Sequence, residues 1–293
     1  MQDELSVVYE SSSRQACSER ALVLLSLSIP HQAYHEEMRS VLLVPSSVAE
    51  RAKYELWLYE QENRAPKKTP ARITPIYQNG VPGAVVYVTV ICLVAWFAGT
   101  GAFGFDWLGA GRIDGALIRH GEWWRTLTAL TLHSGIRHLL GNIGFGALFG
   151  VFAGRLVGPG VAWLSIVIAS GLANTLNTVL LESTHRSIGA STAVFAALGL
   201  VAAYVWRARL MAQDRWPYRL GPVIGGIALL AFTGTGDANT DIGAHLAGFV
   251  CGFGSGVVLA NSSLTLNKRA LQAGAGTLAL LFIASAWMAA LQS

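Results

Sequence analysis

The sequence predicts an all-α polytopic membrane domain preceded by a small soluble α+β domain, and three observations carry that reading. Of its 293 residues 53% are hydrophobic and only 13% charged, where soluble domains carry roughly 25% charged residues. The charges are unevenly placed, since residues 1–80 hold 10 acidic and 9 basic groups, half of those in the chain. Beyond them come about seven apolar segments, each near the roughly 20 residues that a bilayer-spanning helix needs.

Residues 1–65 read as a compact α+β module. Leu5–Tyr9 alternates like a strand, and Ser13–Leu27 reads as an amphipathic helix. A second strand is expected around Arg39–Val44, stopping at Pro45, after which Ser46 and Ser47 are expected to cap a helix from Val48 to Asn63. A basic, proline-containing linker follows (Arg64, Pro66, Lys67, Lys68, Pro70, Arg72), and such a run suits a juxtamembrane segment. No signal peptide is expected, because the apolar run Ala21–Leu25 is short and acidic residues precede it.

The apolar segments are approximately Val81–Phe103, Ile136–Phe152, Val161–Leu181, Ser191–Trp206, Pro222–Thr233, Gly243–Asn261 and Ala273–Leu291. The fifth is short and glycine-rich, so a tilted, thin or mobile helix is expected there. Between the first two lies a long stretch, Phe105 to Arg125, that is neither polar nor a span. Its Trp123-Trp124-Arg125 reads as an interfacial element, with rings at headgroup level and the guanidinium turned toward phosphate. The expected domains are 1–75 (soluble domain and linker), 76–262 (membrane core) and 263–293 (an additional span).

Lys and Arg counts give the expected orientation. With the N-terminus inside, the cytoplasmic side collects Lys67, Lys68, Arg72, Arg155, Arg207, Arg209, Arg215, Arg219, Lys268 and Arg269. The other side has Arg112, Arg119, Arg125, Arg137 and Arg186, and ten against five favours this arrangement. The starts of the second, fourth and sixth segments then share the outer face. That puts His138, Asn142, Ser191 and His245 on one side of the bilayer.

An imidazole in an apolar run needs a partner or water, so His245 reads as a structural residue, a proton-relay group or a base. Ala244, Gly248, Gly252 and Gly256 form a small-residue stripe beside it, which lets another helix approach closely. Thr192, Ala196, Gly199 and Ala203 give the fourth segment a similar face bordering Ser191. Packed together, the two stripes bring hydroxyl and imidazole within possible reach, and a serine becomes a nucleophile when a base takes its proton. The N–H groups of Ala190 and Ser191 stand at a helix start, where they have no intrahelical partner. His138 and Asn142, one turn apart, can add side-chain donors for an oxyanion. His133, Asn174 and Asn177 read as polar packing or water-site residues.

Other chemistries find less support. His35-Glu36-Glu37-Met38-Arg39 lacks the second His of a zinc-protease helix. Cys17, Cys92 and Cys251 are odd in number and far apart, so neither a disulfide framework nor a metal site is expected. The pI near 9.1 is assigned to loops beside spans, and no nucleic-acid partner is expected. A polytopic transporter would more often show inverted repeats, and none is evident.

Trp123-Trp124-Arg125, His138-x-x-x-Asn142, Gly189-x-Ser191 and Ala244-His245-x-x-Gly248-x-x-x-Gly252 together resemble the rhomboid family of intramembrane serine proteases, over roughly residues 80–262. The resemblance implies a six-helix core plus one extra C-terminal transmembrane helix. It implies a catalytic Ser191–His245 dyad with no acidic third member and an oxyanion site from His138, Asn142 and the Ser191 amide. The Trp-Arg element would be the family's membrane-associated first loop. Gly189, Gly248, Gly252, Trp124 and Arg125 would serve structure and close packing. Substrates would be other transmembrane proteins, cut in or near a helix within the lipid bilayer, with no cofactor. The implied location is a bacterial inner (plasma) membrane, N-terminus cytoplasmic. One departure is Thr192, where the family's commonest form has Gly after the nucleophile. The nearest alternative is a catalytically inactive rhomboid-like binder or chaperone of membrane helices, but such proteins typically lack the Ser or His.

Overall fold

A computed structural model describes residues 4–36, 39–63, 79–180, 185–207, 216–233, 241–262 and 266–293. The expected linker cations Arg64, Lys67, Lys68 and Arg72 lie outside them, as do the loop cations Arg209 and Arg215. The chain divides into two compact units, Met1–Thr69 and Pro70–Ser293.

The first unit is α+β. In chain order it holds β1 (Leu5–Ser11), α1 (Arg14–Ser26), β2 (Gln32–Glu36), β3 (Arg39–Pro45) and α2 (Ala49–Glu62). The antiparallel sheet has the order β1-β3-β2. Central β3 alternates cleanly, burying Ser40, Leu42 and Val44. These pack with Cys17 and Leu24 of α1 and with Ala52 and Leu56 of α2. Ser13 caps α1 by accepting from the Ala16 N–H at 3.3 Å. The expected Ser46–Ser47 cap does not form. The Ser46 hydroxyl instead donates to the Glu4 carbonyl at 2.6 Å, and a 3-10 turn over Ser46–Val48 leads into α2 without a side-chain cap. Strand β2 escapes a pattern-based reading because all five of its residues are exposed.

The second unit is helical. Helix α3 (Val81–Thr100) opens it, and α4 (Trp107–Gly111), β4 (Ile113–Asp114), α5 (Gly115–Arg119) and α6 (Arg125–Thr128) make up the long connection. Then come α7 (Ile136–Val157), α8 (Pro159–Leu180), β5 (Arg186–Ser187), α9 (Ser191–Arg207), α10 (Trp216–Thr233), α11 (Ile242–Asn261) and α12 (Arg269–Ala290). All seven apolar segments are helices. Of these, α3, α7, α8, α11 and α12 are long and apolar enough to cross a membrane, while α9 is apolar but has 17 residues. Helix α10 begins at Trp216, before the expected Pro222. The chain is an integral membrane protein with a polytopic helical domain and a small α+β domain.

Helix α9 is the centre of this unit, with α7, α8, α10 and α11 packed on it and both of its small-residue and bulky faces buried. The tightest contact is with α11. A Cβ placed on Gly248 would lie 2.6 Å from the Thr192 carbonyl oxygen, and one on Gly252 or Gly256 would strike the Ala196 or Leu200 carbonyl. Since both partners advance by four residues, α9 and α11 run parallel with their backbones in contact.

Lipid offers no hydrogen bonds, so polar groups in the unit must pair internally. Gln272, buried on α12, does this for three backbone groups. Its Oε1 accepts from the Val161 N–H at 3.0 Å, and its Nε2 donates to the Val157 and Leu266 carbonyls at 3.1 and 2.8 Å. It thereby joins the end of α7, the start of α8 and the start of α12. At the other end of α12, Trp287 Nε1 donates to Thr131 Oγ1 at 3.0 Å and its ring packs on Trp107 at 4.9 Å. The extra span is therefore anchored to the connection between α3 and α7. In Gln272→Leu these backbone groups lose their partner, at roughly 1–3 kcal/mol for each buried group left unpaired. The thermal midpoint of the detergent-solubilised protein should fall by several degrees, and an unchanged midpoint would show that Gln272 is dispensable.

Candidate active site

Ser191 opens α9, and the first helical bond runs from the Val194 N–H to the Ala190 carbonyl at 3.0 Å. The N–H groups of Ala190 and Ser191 thus precede the helical ladder, as donors at a helix start do. Ala190 is fully buried. The approach to Ser191 is fixed by Gly189, whose N–H donates to the Ala129 carbonyl at 2.9 Å and whose φ is +138°. That backbone conformation favours glycine. Space demands it too, because a Cβ there would lie 2.6 Å from His138 Cε1 and 3.6 Å from Ser191 Oγ. The His138 imidazole and the Ser191 hydroxyl therefore flank the same glycine.

His245 stands in the first turn of α11 and is 7% exposed. Its ring lies 4.5 Å, centroid to centroid, from that of Phe195, one turn beyond Ser191 on α9. The parallel register of α9 and α11 gives the same level, since Gly248 meets Thr192 and His245 comes three residues earlier. Ser191 and His245 so occupy the same end of two helices in backbone contact. The bulk of Thr192 does not separate them: its side chain is buried at 4% exposure, and its methyl lies beside Gly248.

On α7, His138 Nδ1 engages Ser134 Oγ at 3.1 Å, which orients Nε2 toward Gly189. His133 backs the His138 ring edge-on at 5.3 Å. Burial, and next the neighbouring His138, push the His133 pKa down to about 4, so this ring is neutral at pH 7. Asn142 is buried one turn beyond His138, and its Nδ2 has no hydrogen-bond partner among the described residues. The Asn142 carbonyl accepts from the Tyr87 hydroxyl at 2.8 Å, which ties α7 to α3 at this level. A small cavity bounded by Ala129, Asn174, Gly189, Ser191, Thr192 and Asp241 lies beside the hydroxyl.

The Trp-Arg element departs from expectation. Trp123 is exposed, but Arg125 is only 5% exposed and its guanidinium does not reach outward. Nε donates to Glu122 Oε2 at 2.7 Å, and Nη1 to the Gly109 and Arg112 carbonyls at 2.7 and 3.0 Å. A desolvated guanidinium requires such partners, and these fold the connection onto itself. Trp124 packs with Trp107, Leu132 and Trp287. The connection also reaches the loop before Ser191 directly. Strand β4 pairs antiparallel with β5, Asp114 Oδ2 accepts from Arg186 Nε at 3.0 Å, and the Gly115 N–H donates to the His185 carbonyl at 3.0 Å.

The sequence offers Asp237, Asn239 and Asp241, just before the sixth segment, as residues that keep the mouth of the site wet. Asp237 and Asn239 lie outside the described residues, and the sequence does not show that Asp241 is the hub of a polar cluster at the start of α11. Asp241 caps that helix, accepting from the Ala244 N–H at 2.9 Å. It also accepts from Asn177 Nδ2 at 3.0 Å and engages His185 Nε2 at 2.8 Å. Three elements, α8, the loop before Ser191 and the His245 helix, so meet on one carboxylate. The available signal was an Asp one turn before His245, in the position of a helix cap. Asn174, in contrast, is a packing residue that donates to the Thr126 carbonyl at 2.8 Å.

The Rhomboid domain family matches residues 120–262, which include His138, Asn142, Ser191, Asp241 and His245. The rhomboid protease GluP of Bacillus subtilis (strain 168) is 28% identical over 86% of this chain and 45% of its own length. The protein YdcA of the same organism is 30% identical over 46% of this chain and 67% of its own. Rhomboid-like protease 1 of Toxoplasma gondii is 30% identical over 48% and 49%. The chain thus spans about half the length of GluP and of the Toxoplasma protein.

The hub has a pH signature. Burial pushes the Asp241 carboxyl up, but the Ala244 amide, His185 and Ser187 together outweigh it and hold the pKa below its ordinary 3.8. A depressed folded-state pKa gives stability that is complete above the unfolded value and is lost as pH falls through the folded one. Asp114 is lowered as well, against burial, by the Leu117 amide and Arg186. The detergent-solubilised protein should lose thermal stability on acidification below about pH 3.8, where the ordinary carboxylate titrates. Asp241→Asn should lower the midpoint at neutral pH and flatten part of that acid-side fall. An equally steep fall in the variant would mean that Asp241 carries none of it.

Proposed function

This chain belongs to the rhomboid family, and we propose that it is an intramembrane serine endopeptidase acting through Ser191 and His245. The observation that carries the proposal is the parallel register of α9 and α11, with Gly248 against Thr192 and the His245 ring against Phe195. In this reading Ser191 Oγ attacks the scissile carbonyl carbon while His245 accepts the hydroxyl proton. The C–N bond then breaks as His245 hands that proton to the leaving amine. Water attacks the resulting ester, passes a proton to His245, and the acid leaves as Ser191 is reprotonated. No cofactor enters these steps.

The negative oxygen formed in each addition needs donors fixed beforehand. The N–H groups of Ser191 and Ala190, His138 Nε2 and Asn142 Nδ2 are the proposed set. Asn142 supports this most directly: its Nδ2 is buried without a partner among the described residues, a state that costs roughly 1–3 kcal/mol. An oxyanion accepting from it would recover that cost in the transition state. Asp241 and His185, at the mouth, would admit the hydrolytic water. The proposed substrates are transmembrane proteins cleaved in or near a membrane helix.

A fluorophosphonate should label the wild type and not Ser191→Ala. Cleavage of a transmembrane substrate should vanish in Ser191→Ala and His245→Ala, with the double variant no slower than either. His138→Ala and Asn142→Ala should each lose on the order of 100- to 1000-fold in cleavage, the effect of one missing oxyanion donor. Full activity in His245→Ala with none in His138→Ala would make His138 the base. Absence of both labelling and cleavage in the wild type would favour a non-catalytic binder of membrane helices.

We further propose that residues 1–75 and the loop from Arg207 to Arg219 face the cytoplasm, on the Lys/Arg bias of the loops. The site would then open to the opposite side. A cysteine at Ser187 should react with an impermeant thiol reagent from outside the cell, and labelling from the cytoplasm alone would reverse the topology.

A further inference from the structure

Helices α3 and α12 both lean on α8 and leave an apolar cleft of about 300 Å³ between them, which runs from Gln272 to Leu130, Thr131 and Ala193. Its walls include Val86 and Val90 of α3, Ile166 and Val167 of α8, and Leu280 and Ile283 of α12. Neither Ser191 nor His245 lines it. The wall on α12 runs from Gln272 to Ile283, about 16 Å at 1.5 Å per residue. That is about half of a hydrocarbon core ~30 Å thick, the depth of one leaflet. Over this length the cleft is a narrow slot between two helices, a shape that suits an extended hydrocarbon chain better than a helix ~10 Å across. Water is a poor occupant, because it needs two to four polar partners and the walls are almost wholly apolar.

The end of the cleft is chemically different. Helices α3, α8 and α12 all start there, at Val81, Pro159 and Arg269, and none has an acidic residue in its first turn. Lys268 and Arg269 stand one turn before Gln272 and Ala273, on the helical face that continues into the cleft. Arg155, in the last turn of α7, lies beside the start of α3, since a Cβ on Gly80 would sit 3.1 Å from the Arg155 backbone nitrogen. All three cations are exposed, and none forms an ion pair among the described residues. A leaflet-deep apolar slot ending in a ring of cations matches an acyl chain with an anionic head.

We propose that this cleft binds one anionic phospholipid, an acyl chain lying between α3 and α12 and the phosphate held by Lys268, Arg269 and Arg155. The lipid completes the packing of α12 on the unit, filling space that would otherwise leave its walls without contacts.

Native mass spectrometry of the full chain, purified in detergent and offered phosphatidylglycerol or phosphatidylcholine, tests this. The wild type should retain phosphatidylglycerol roughly 30- to 150-fold better, the size expected from two or three headgroup cations. Lys268→Ala combined with Arg269→Ala should bring the two lipids near parity. Ala273→Trp, which fills the slot, should abolish retention of both. Retention unchanged in Ala273→Trp would overturn the proposal. Because that variant could misfold, benzoylphenylalanine in place of Thr277, which lines the cleft, gives a second reading. Irradiated in phosphatidylglycerol vesicles with a co-reconstituted transmembrane protein, it should crosslink lipid. A crosslink to the protein instead would overturn the lipid assignment and give the cleft to a helix.

Discussion

The close approach of α9 and α11 is the constraint on which the remaining arrangement depends. Helices that bring carbonyl oxygens within van der Waals reach of a neighbour's α-carbons have no tolerance for a side chain at the contact. Gly248, Gly252 and Gly256 meet the Thr192, Ala196 and Leu200 carbonyls in steps of one turn. Within lipid, apolar surface supplies no net drive for helices to associate, so such packing must come from contact itself. The register is then fixed, and with it the level of the Phe195 and His245 rings. A methyl group at Gly248 would act mainly by altering a distance.

Around that contact, the unit closes its polar groups inward. Arg125 holds the first connection by two carbonyls and a carboxylate, Gln272 caps a helix that is not its own, and Asp241 gathers Asn177, His185 and the start of α11. These are paired charges and amides, as a medium without hydrogen-bonding capacity requires. Among the described residues, Asn142 Nδ2 and both ring nitrogens of His133 are buried without a partner, as are Arg112 Nε, Trp124 Nε1 and Trp163 Nε1. Of these, Asn142 and His133 lie on the stretch that carries His138, where an unpaired donor can be held ready for chemistry.

Much of the helical unit was legible in the sequence because a membrane span leaves a coarse signal of length and hydropathy. All seven apolar stretches are helices, and the four-residue glycine spacing on α11 marks the face that meets α9. What escaped was set by tertiary contact. Strands β4 and β5 are two residues each and exist because Asp114 and Arg186 meet across two loops. Strand β2 is an exposed edge with no alternation, and Ser46 turned to Glu4 instead of capping α2. Arg125 shows the limit most plainly. Next to paired tryptophans it has the composition of a headgroup anchor, and only the carbonyls of Gly109 and Arg112, folded back from earlier in the chain, reveal an internal staple. His185 had no local signal, since its partner Asp241 lies across the fold.

Helix α12 bears on the order in which the protein matures. It follows every site residue in the chain, yet Trp287 supports Thr131 and Trp107 in the first connection, and Gln272 caps the start of α8. During synthesis the earlier helices leave the ribosome first. They must therefore wait in the membrane with the Val161 amide and the Thr131 hydroxyl short of their final partners. The connection that braces the Ser191 loop through β4 and β5 is secured only when this later helix inserts. Ribosomal order thus delays the bracing of the Ser191 loop until the last of these helices is in place.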